Sequence, residues 1–123
     1  MTVRSAALIV VVDDDAPVRT ALCALLASAG FDTAAFASAE QCLLDARLDG
    51  AALAIIDIGL PGMNGLVLQA RLSSRAPPLP VIIVSGQADT MSAAAALRAG
   101  AMALLHKPFD GERLLELVAQ TLR

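Results

Sequence analysis

Five short apolar runs, each followed by a segment whose apolar residues recur at helical spacing, leave this 123-residue chain few architectures. Residues 7–12 form a continuous, mostly β-branched run, the pattern of a strand buried on both faces. Val18, Leu22, Leu25, Leu26 and Ala29 then fall on one helical stripe, which Gly30 closes as a C-cap. Pro17 is tolerated near that helix's start because first-turn N–H groups have no partner within the helix. Residues 31–36 read as a second strand, and Ser38 with Gln41 resembles a capping box opening a helix to about residue 48. The third strand covers residues 53–57, and Asn64 caps a third helix to about residue 74. Three prolines within residues 75–80 break that helix and lead stiffly into a strand at 81–85. A helix over 90–99 stops at Gly100, followed by a strand at 101–105 and a last helix over 110–122. Leu114, Leu115, Leu117, Val118 and Leu122 give that last helix its apolar side.

Strict alternation predicts a doubly wound α/β fold, with five parallel strands, right-handed crossovers and five helices shared between the two faces. No repeat or linker interrupts the pattern, so residues 1–123 read as one domain. In open sheets of this kind a ligand site lies beyond the carboxyl ends of the strands, where the strand order switches. Polar residues do gather at those ends. The first strand ends in Asp13-Asp14-Asp15, the third in Asp57, the fourth in Ser85-Gly86, and Lys107-Pro108 follows the fifth.

Carboxylates packed together repel one another, so their shared ionisation calls for a cation. Oxygen donors without His or Cys favour a hard ion, and Mg²⁺ suits a site with few carboxylates and retained waters. Lys107 adds a positive point charge and Ser85 a hydroxyl donor. Such a set is suited to a phosphoryl group and to the spread charge of its transfer, with Asp57 as the nucleophile that forms an acyl phosphate.

Composition narrows the function further. Hydrophobic residues make up 57% of the chain and mean hydropathy is +0.68, which raises the question of a membrane span. A spanning helix needs about 20 apolar residues, whereas the first run ends within seven at three aspartates. Arg4 ahead of that run loosely imitates a signal peptide, but no small-residue cleavage site follows. The net charge of −3 and the absence of a dense Lys/Arg cluster argue against nucleic-acid binding by this chain. Cys23 and Cys42 fall in helical regions and read as reduced fillers. The expectation is a soluble cytoplasmic protein with no membrane partner.

Four pieces then become specific together. Val11-Val12-Asp13-Asp14-Asp15-Ala16-Pro17-Val18-Arg19, Asp57-Ile58-Gly59-Leu60-Pro61-Gly62-Met63-Asn64-Gly65, Val84-Ser85-Gly86 and Lys107-Pro108-Phe109 resemble the receiver-domain signature of two-component response regulators. Order and spacing match, and the resemblance covers nearly the whole chain. It implies a flavodoxin-like sheet of strand order 2-1-3-4-5. It also implies that Asp57 accepts a phosphoryl group from a phosphohistidine on a sensor histidine kinase, as a phosphorelay switch rather than an enzyme. Asp14, Asp57 and the Gly59 carbonyl would ligate Mg²⁺ directly, with Asp13 acting mainly through water. Ser85, Gly86 and Lys107 would contact the phosphoryl oxygens, and the Lys107–Pro108 bond would be cis. Ala16-Pro17-Val18-Arg19, Gly30-Phe31 and Ser38-Ala39-Glu40 look most like the FixJ-like subgroup, whose members usually carry a helix-turn-helix output domain. Such a DNA-binding domain would lie outside this chain, which is either a stand-alone receiver or part of a longer protein.

Several positions depart from that pattern or read more plainly. Many receivers carry an aromatic switch residue three positions before the lysine, and here it is Leu104. A ring reorientation cannot be the readout. We expect phosphorylation to repack the face of helix 4, strand 5 and helix 5 for dimerisation or output control, because Ala93–Ala96 and Leu104 make it apolar and smooth. Gly59 and Gln87 flank the site and push acyl-phosphate lifetime in opposite senses. Asp15 is expected to face solvent or cap the first helix, and Asp110 and Glu112 to serve the last helix's N-terminus. His106, the only histidine, reads as a surface residue, and Gly62 and Gly65 as turn and close-approach residues.

Two functions from other classes compete. A haloacid-dehalogenase-type phosphatase also uses an aspartyl phosphate, and Asp13-Asp14-Asp15 contains its Asp-x-Asp, but it needs a hydroxyl or small branched residue where Pro17 stands and a substrate cap. A phosphorylation-independent interaction module is the other, and the filled chemical positions argue against it. A nucleotide-binding Rossmann domain is disfavoured because no Gly-rich loop follows the first strand.

Overall fold

The computed structural model describes residues 6–86 and 90–123; Arg4 and Gln87 lie outside the described residues. In chain order the elements are β1 (Leu8–Val12), α1 (Ala16–Ser28), β2 (Asp32–Phe36), α2 (Ala39–Leu44), a 3-10 turn (Ala46–Gly50), β3 (Ala51–Asp57), α3 (Gly65–Ser73), β4 (Val81–Ser85), α4 (Thr90–Arg98), β5 (Ala103–His106) and α5 (Gly111–Thr121). All strand pairs are parallel, in the order β2-β1-β3-β4-β5. The sheet is the doubly wound one that the alternation predicts.

Strands buried on both faces divide their side chains between two cores. Val10, Val12, Ile56 and Ile83 pack with Ala39, Cys42, Leu68, Leu72 and Ala96 under α2, α3 and α4. Ile9, Val11, Ile55 and Val84 pack with Leu22, Leu26, Leu114 and Val118 under α1 and α5. The chain therefore leaves β1 toward one face and β3 toward the other. That reversal opens the crevice at the strands' carboxyl ends.

Three differences from the sequence pattern have local causes. The second helix ends at Leu44 instead of near residue 48, because Asp45 turns extended and its carboxylate accepts the Arg47 N–H, restarting the chain as the 3-10 turn. β5 starts at Ala103 because Gly100 takes a left-handed turn and the Ala101 N–H is spent on the Ala96 carbonyl, closing α4. The third difference corrects the expected smooth face on α4. Ala93 and Ala96 lie three residues apart and point into the core, while Met91, Leu97 and Met102 are the large apolar residues left exposed on this helix and the turn after it. Leu104 is half-buried against the core on the α4 side.

The cysteines are free; Cys23 is half-buried and Cys42 buried. Burial, helped by the charge of Asp45, pushes the Cys42 thiol up to about 11, so it is an inert filler. Among the described residues no helix is long and apolar enough to cross a membrane.

Candidate functional site

Asp57 is the last residue of β3, and β1 and β4 flank it in the sheet. The side chain is almost fully buried. One oxygen, Oδ1, accepts the Gly59 N–H at 3.0 Å, and Oδ2 lies 3.4 Å from Lys107 Nζ. Burial raises the Asp57 carboxyl above its ordinary range, and the nearby charge of Asp13 adds to that, while the Gly59 N–H and Lys107 act against it.

The loop after β1 brings two further carboxylates to this point. Asp13 is 1% exposed, and its oxygens are both engaged: Oδ1 accepts the Asp15 N–H at 2.9 Å and Oδ2 accepts from Lys107 Nζ at 2.9 Å. Asp14 is exposed. Asp13, Asp14 and Asp57 bring ligand oxygens within 4.8 Å of one another. Asp15 does not join them; its carboxylate accepts the Val18 N–H and caps α1. Asp110 likewise caps α5 through the Glu112 N–H.

Lys107 follows β5 and lies between Asp13 and Asp57. Partial burial acts to lower its affinity for a proton. The hydrogen bond to Asp13 and the charges of Asp57 and Asp13 outweigh that, so its pKa is raised and it stays an ammonium ion. The Lys107–Pro108 bond is cis. Ser85 ends β4, fully buried, and its hydroxyl donates to the Gly86 carbonyl at 3.0 Å. Its carbonyl accepts the Lys107 N–H at 2.8 Å, which locks the fourth and fifth strand ends together. His106 is exposed.

Two residues of this edge carry roles that the sequence reading did not assign. Arg19 Nη1 donates to the Asp13 carbonyl at 2.7 Å, bracing the acidic turn from α1. Glu40 Oε1 accepts the Met63 N–H at 3.2 Å, tying α2 to the loop between β3 and α3. Arg19 lies one helical turn beyond the Asp15 cap, a spacing that aims a long side chain back at the loop. Glu40 carries no such signal, since an acid in a helix's first turn has a sufficient local reason to be there.

The donor set fits a hard cation. Three carboxylates converge from two strand ends with no imidazole or thiolate among them, one is solvent-facing, and Gly59 is exposed beside Asp57.

A family model for the response regulator receiver domain matches residues 9–119. The transcriptional regulatory protein FixJ of Bradyrhizobium diazoefficiens is 38% identical over 117 residues, covering 94% of this chain and 56% of FixJ. The C4-dicarboxylate transport transcriptional regulatory protein DctD of Rhizobium meliloti is 39% identical over 105 residues, covering 85% of this chain and 23% of DctD. The chain thus spans between about a quarter and just over half of these relatives. The crystal structure of the receiver domain of NtrX from Brucella abortus superposes with a TM-score of 0.85 at 32% identity, over 93% of this chain and 97% of that one.

Proposed function

Because this chain belongs to the response regulator receiver domain family of two-component systems, we propose that Asp57 is its phosphoacceptor, charged by a sensor histidine kinase with the help of Mg²⁺. The observation that carries this reading is the ammonium of Lys107 held between two buried carboxylates, Asp13 just after β1 and Asp57 at the end of β3. In the transfer, an Asp57 carboxylate oxygen attacks phosphorus, the P–N bond to the donor imidazole breaks, and the bonding pair stays on that nitrogen. Lys107 shifts its ammonium from the carboxylates toward the phosphoryl oxygens. Ser85 turns its hydroxyl from the Gly86 carbonyl to the same oxygens, and the Gly86 backbone adds a further contact. Asp14, Asp57 and the Gly59 carbonyl would hold the cation, with Asp13 acting mainly through water, one of its oxygens already serving the Asp15 N–H. Bound Mg²⁺ supplies charge neutralisation for the carboxylates and the transferred group.

An apolar groove of about 470 Å³ lined by Val18, Ala21, Pro108 and Phe109 opens beside Lys107 and offers the phosphodonor protein a seat next to the chemistry. Phosphorylation switches the α4–β5–α5 face, where Met91, Leu97 and Met102 stand exposed, for pairing with a second copy or control of an output domain. Leu104, half-buried behind that face, changes packing in place of a ring flip.

Intact-mass analysis with acetyl phosphate and Mg²⁺ tests the reading. Wild-type protein gains an adduct of ~80 Da that is absent from Asp57→Ala. An adduct retained in Asp57→Ala, or turnover of small phosphate esters, would reject it.

A further inference from the structure

The loop from Ile58 to Asn64 begins anchored and then leaves the core. Ile58 and Leu60 are buried in the sheet's α3 side, but Pro61 and Gly62 are exposed and Met63 is half-buried. Gly62 turns the chain with φ +69°, a conformation that favours glycine. Glu40 meets this outer half. Its Oε1 accepts the Met63 N–H, and its carboxylate lies over Gly62, about 3.6 Å from where a β-carbon would stand. Among the described residues, this is the one side-chain hydrogen bond that reaches the loop from an element other than β3 and α3, which the loop joins.

The base of the contact is rigid. Ala39 and Cys42 sink α2 into the core, Ser38 Oγ accepts the Gln41 N–H, and Gln41 Oε1 accepts the Ala37 N–H. A charged acceptor on a fixed helix makes a stronger bond to a backbone N–H than a neutral one. The loop it holds is the one that gives Asp57 its Gly59 N–H partner. We propose that Glu40 is a positioning residue for phosphoryl transfer, clamping the β3–α3 loop so that Gly59 keeps its N–H on Asp57 and would be placed to serve a bound cation. This rests on the reading of Asp57 as phosphoacceptor.

Three measurements on wild type, Glu40→Ala and Glu40→Gln test it: amide exchange of Met63 by NMR without divalent cations, the Mg²⁺ dependence of acetyl phosphate labelling by intact mass, and Tm. Loss of one such hydrogen bond should speed Met63 exchange about fivefold in Glu40→Ala. The Mg²⁺ concentration for half-maximal labelling should rise severalfold, while labelling at saturating Mg²⁺ stays within about twofold, because a cation in excess restores the loop. Glu40→Gln keeps an acceptor oxygen and should recover most of both effects. Unchanged Met63 exchange and Mg²⁺ midpoint in Glu40→Ala would overturn the proposal. So would a lowered Tm with an unmoved midpoint, which marks a helix-terminus charge only, or a Gln variant no better than Ala. These failures occur in protein whose wild type is labelled; a wild type that takes no phosphoryl group instead removes the Asp57 reading and this role with it.

Discussion

Lys107 Nζ stands 2.9 Å from Asp13 Oδ2, an ion pair between residues 94 positions apart that joins the end of β5 to the end of β1. The lysine is nearer to this partner than to Asp57. In the cation-free protein it therefore offsets the crowding of Asp13 against Asp57. Lys107→Ala leaves two buried carboxylates facing each other without a counter-charge. Removing one partner of a fully buried pair costs ~3–5 kcal/mol, and here, with the lysine side chain 27% exposed, the expected loss is about 2 kcal/mol. Urea unfolding at pH 7 in EDTA measures it, and added Mg²⁺ should narrow the gap. Equal stability of the two proteins in EDTA would show that the pair carries no such load.

Asp57 sets the opposite pH dependence from an ordinary salt-bridged aspartate. Burial raises its pKa in the folded state above the ordinary 3.8, so the folded protein binds this proton more tightly than the unfolded chain. Ionised Asp57 then costs stability at neutral pH. That cost fades as pH falls through the raised value and is gone below the ordinary one. Asp57→Asn should be more stable than wild type at pH 7 without Mg²⁺, with the difference shrinking as pH approaches 4 (roughly the ordinary aspartate value). Urea midpoints at several pH values decide it; a difference that grows on acidification contradicts the sign. Labelling by acetyl phosphate should fall over the same range, since only the carboxylate is the nucleophile.

Gly65 opens α3 directly against the strand that carries Asp57. A β-carbon there would lie 2.7 Å from the Asp57 carbonyl oxygen and 2.7 Å from Ile58 Cα, both backbone atoms that cannot swing away. Gly65→Ala should cost about 1–3 kcal/mol, as overpacking does elsewhere, and slow phosphoryl uptake by pushing Asp57. Gly50 is the control. Nothing lies within 4 Å of its would-be β-carbon and its φ is not positive, so Gly50→Ala should be neutral or stabilising by up to about 1 kcal/mol. Similar losses in both variants would mean that the close approach to Asp57 and Ile58 does not set the cost.

How far the sequence carries depends on the range of each interaction. The parallel doubly wound sheet and the convergence of Asp13, Asp57, Ser85 and Lys107 at one edge follow from strand periodicity and chain alternation, which are local patterns, whereas the strand order 2-1-3-4-5 comes from the family resemblance and is the order found. The split of the second helix at Asp45 was hidden because the Asp45 carboxylate takes a backbone N–H two residues on, and the four-residue spacing of Leu44 and Leu48 masks that competition. Gln69 was equally invisible. It sits fully buried in α3 with Nε2 donating to the Ala96 carbonyl at 2.9 Å, a bond to α4 that no spacing along α3 announces. Glu40 belongs to the same class: it makes a tertiary contact whose partner is a backbone group, and backbone groups leave no mark in a sequence. Arg19 also meets a backbone carbonyl, but its place one turn beyond the Asp15 cap is a local signal.

Asp14 and Asp15 are neighbours with separable duties, and this gives the sharpest check on the acidic turn. Asp15 caps α1 by accepting the Val18 N–H, while its own N–H serves Asp13 Oδ1. Asp15→Ala keeps that N–H and loses only the cap, so it should lower stability by about 1 kcal/mol and leave the Mg²⁺ dependence of labelling unchanged. Asp14 is exposed, and its carboxylate comes within 4.8 Å of those of Asp13 and Asp57. Asp14→Ala removes like-charge repulsion and a proposed cation ligand together. It should leave stability in EDTA equal or slightly higher, yet raise the Mg²⁺ midpoint for labelling at least about tenfold, the scale of one lost ligand contact. Thermal unfolding in EDTA beside Mg²⁺ titrations of phosphoryl uptake separates the pair. If Asp15→Ala moves the Mg²⁺ midpoint as far as Asp14→Ala does, the cap and the cation site are one unit, and the division of labour drawn from the Val18 contact is wrong.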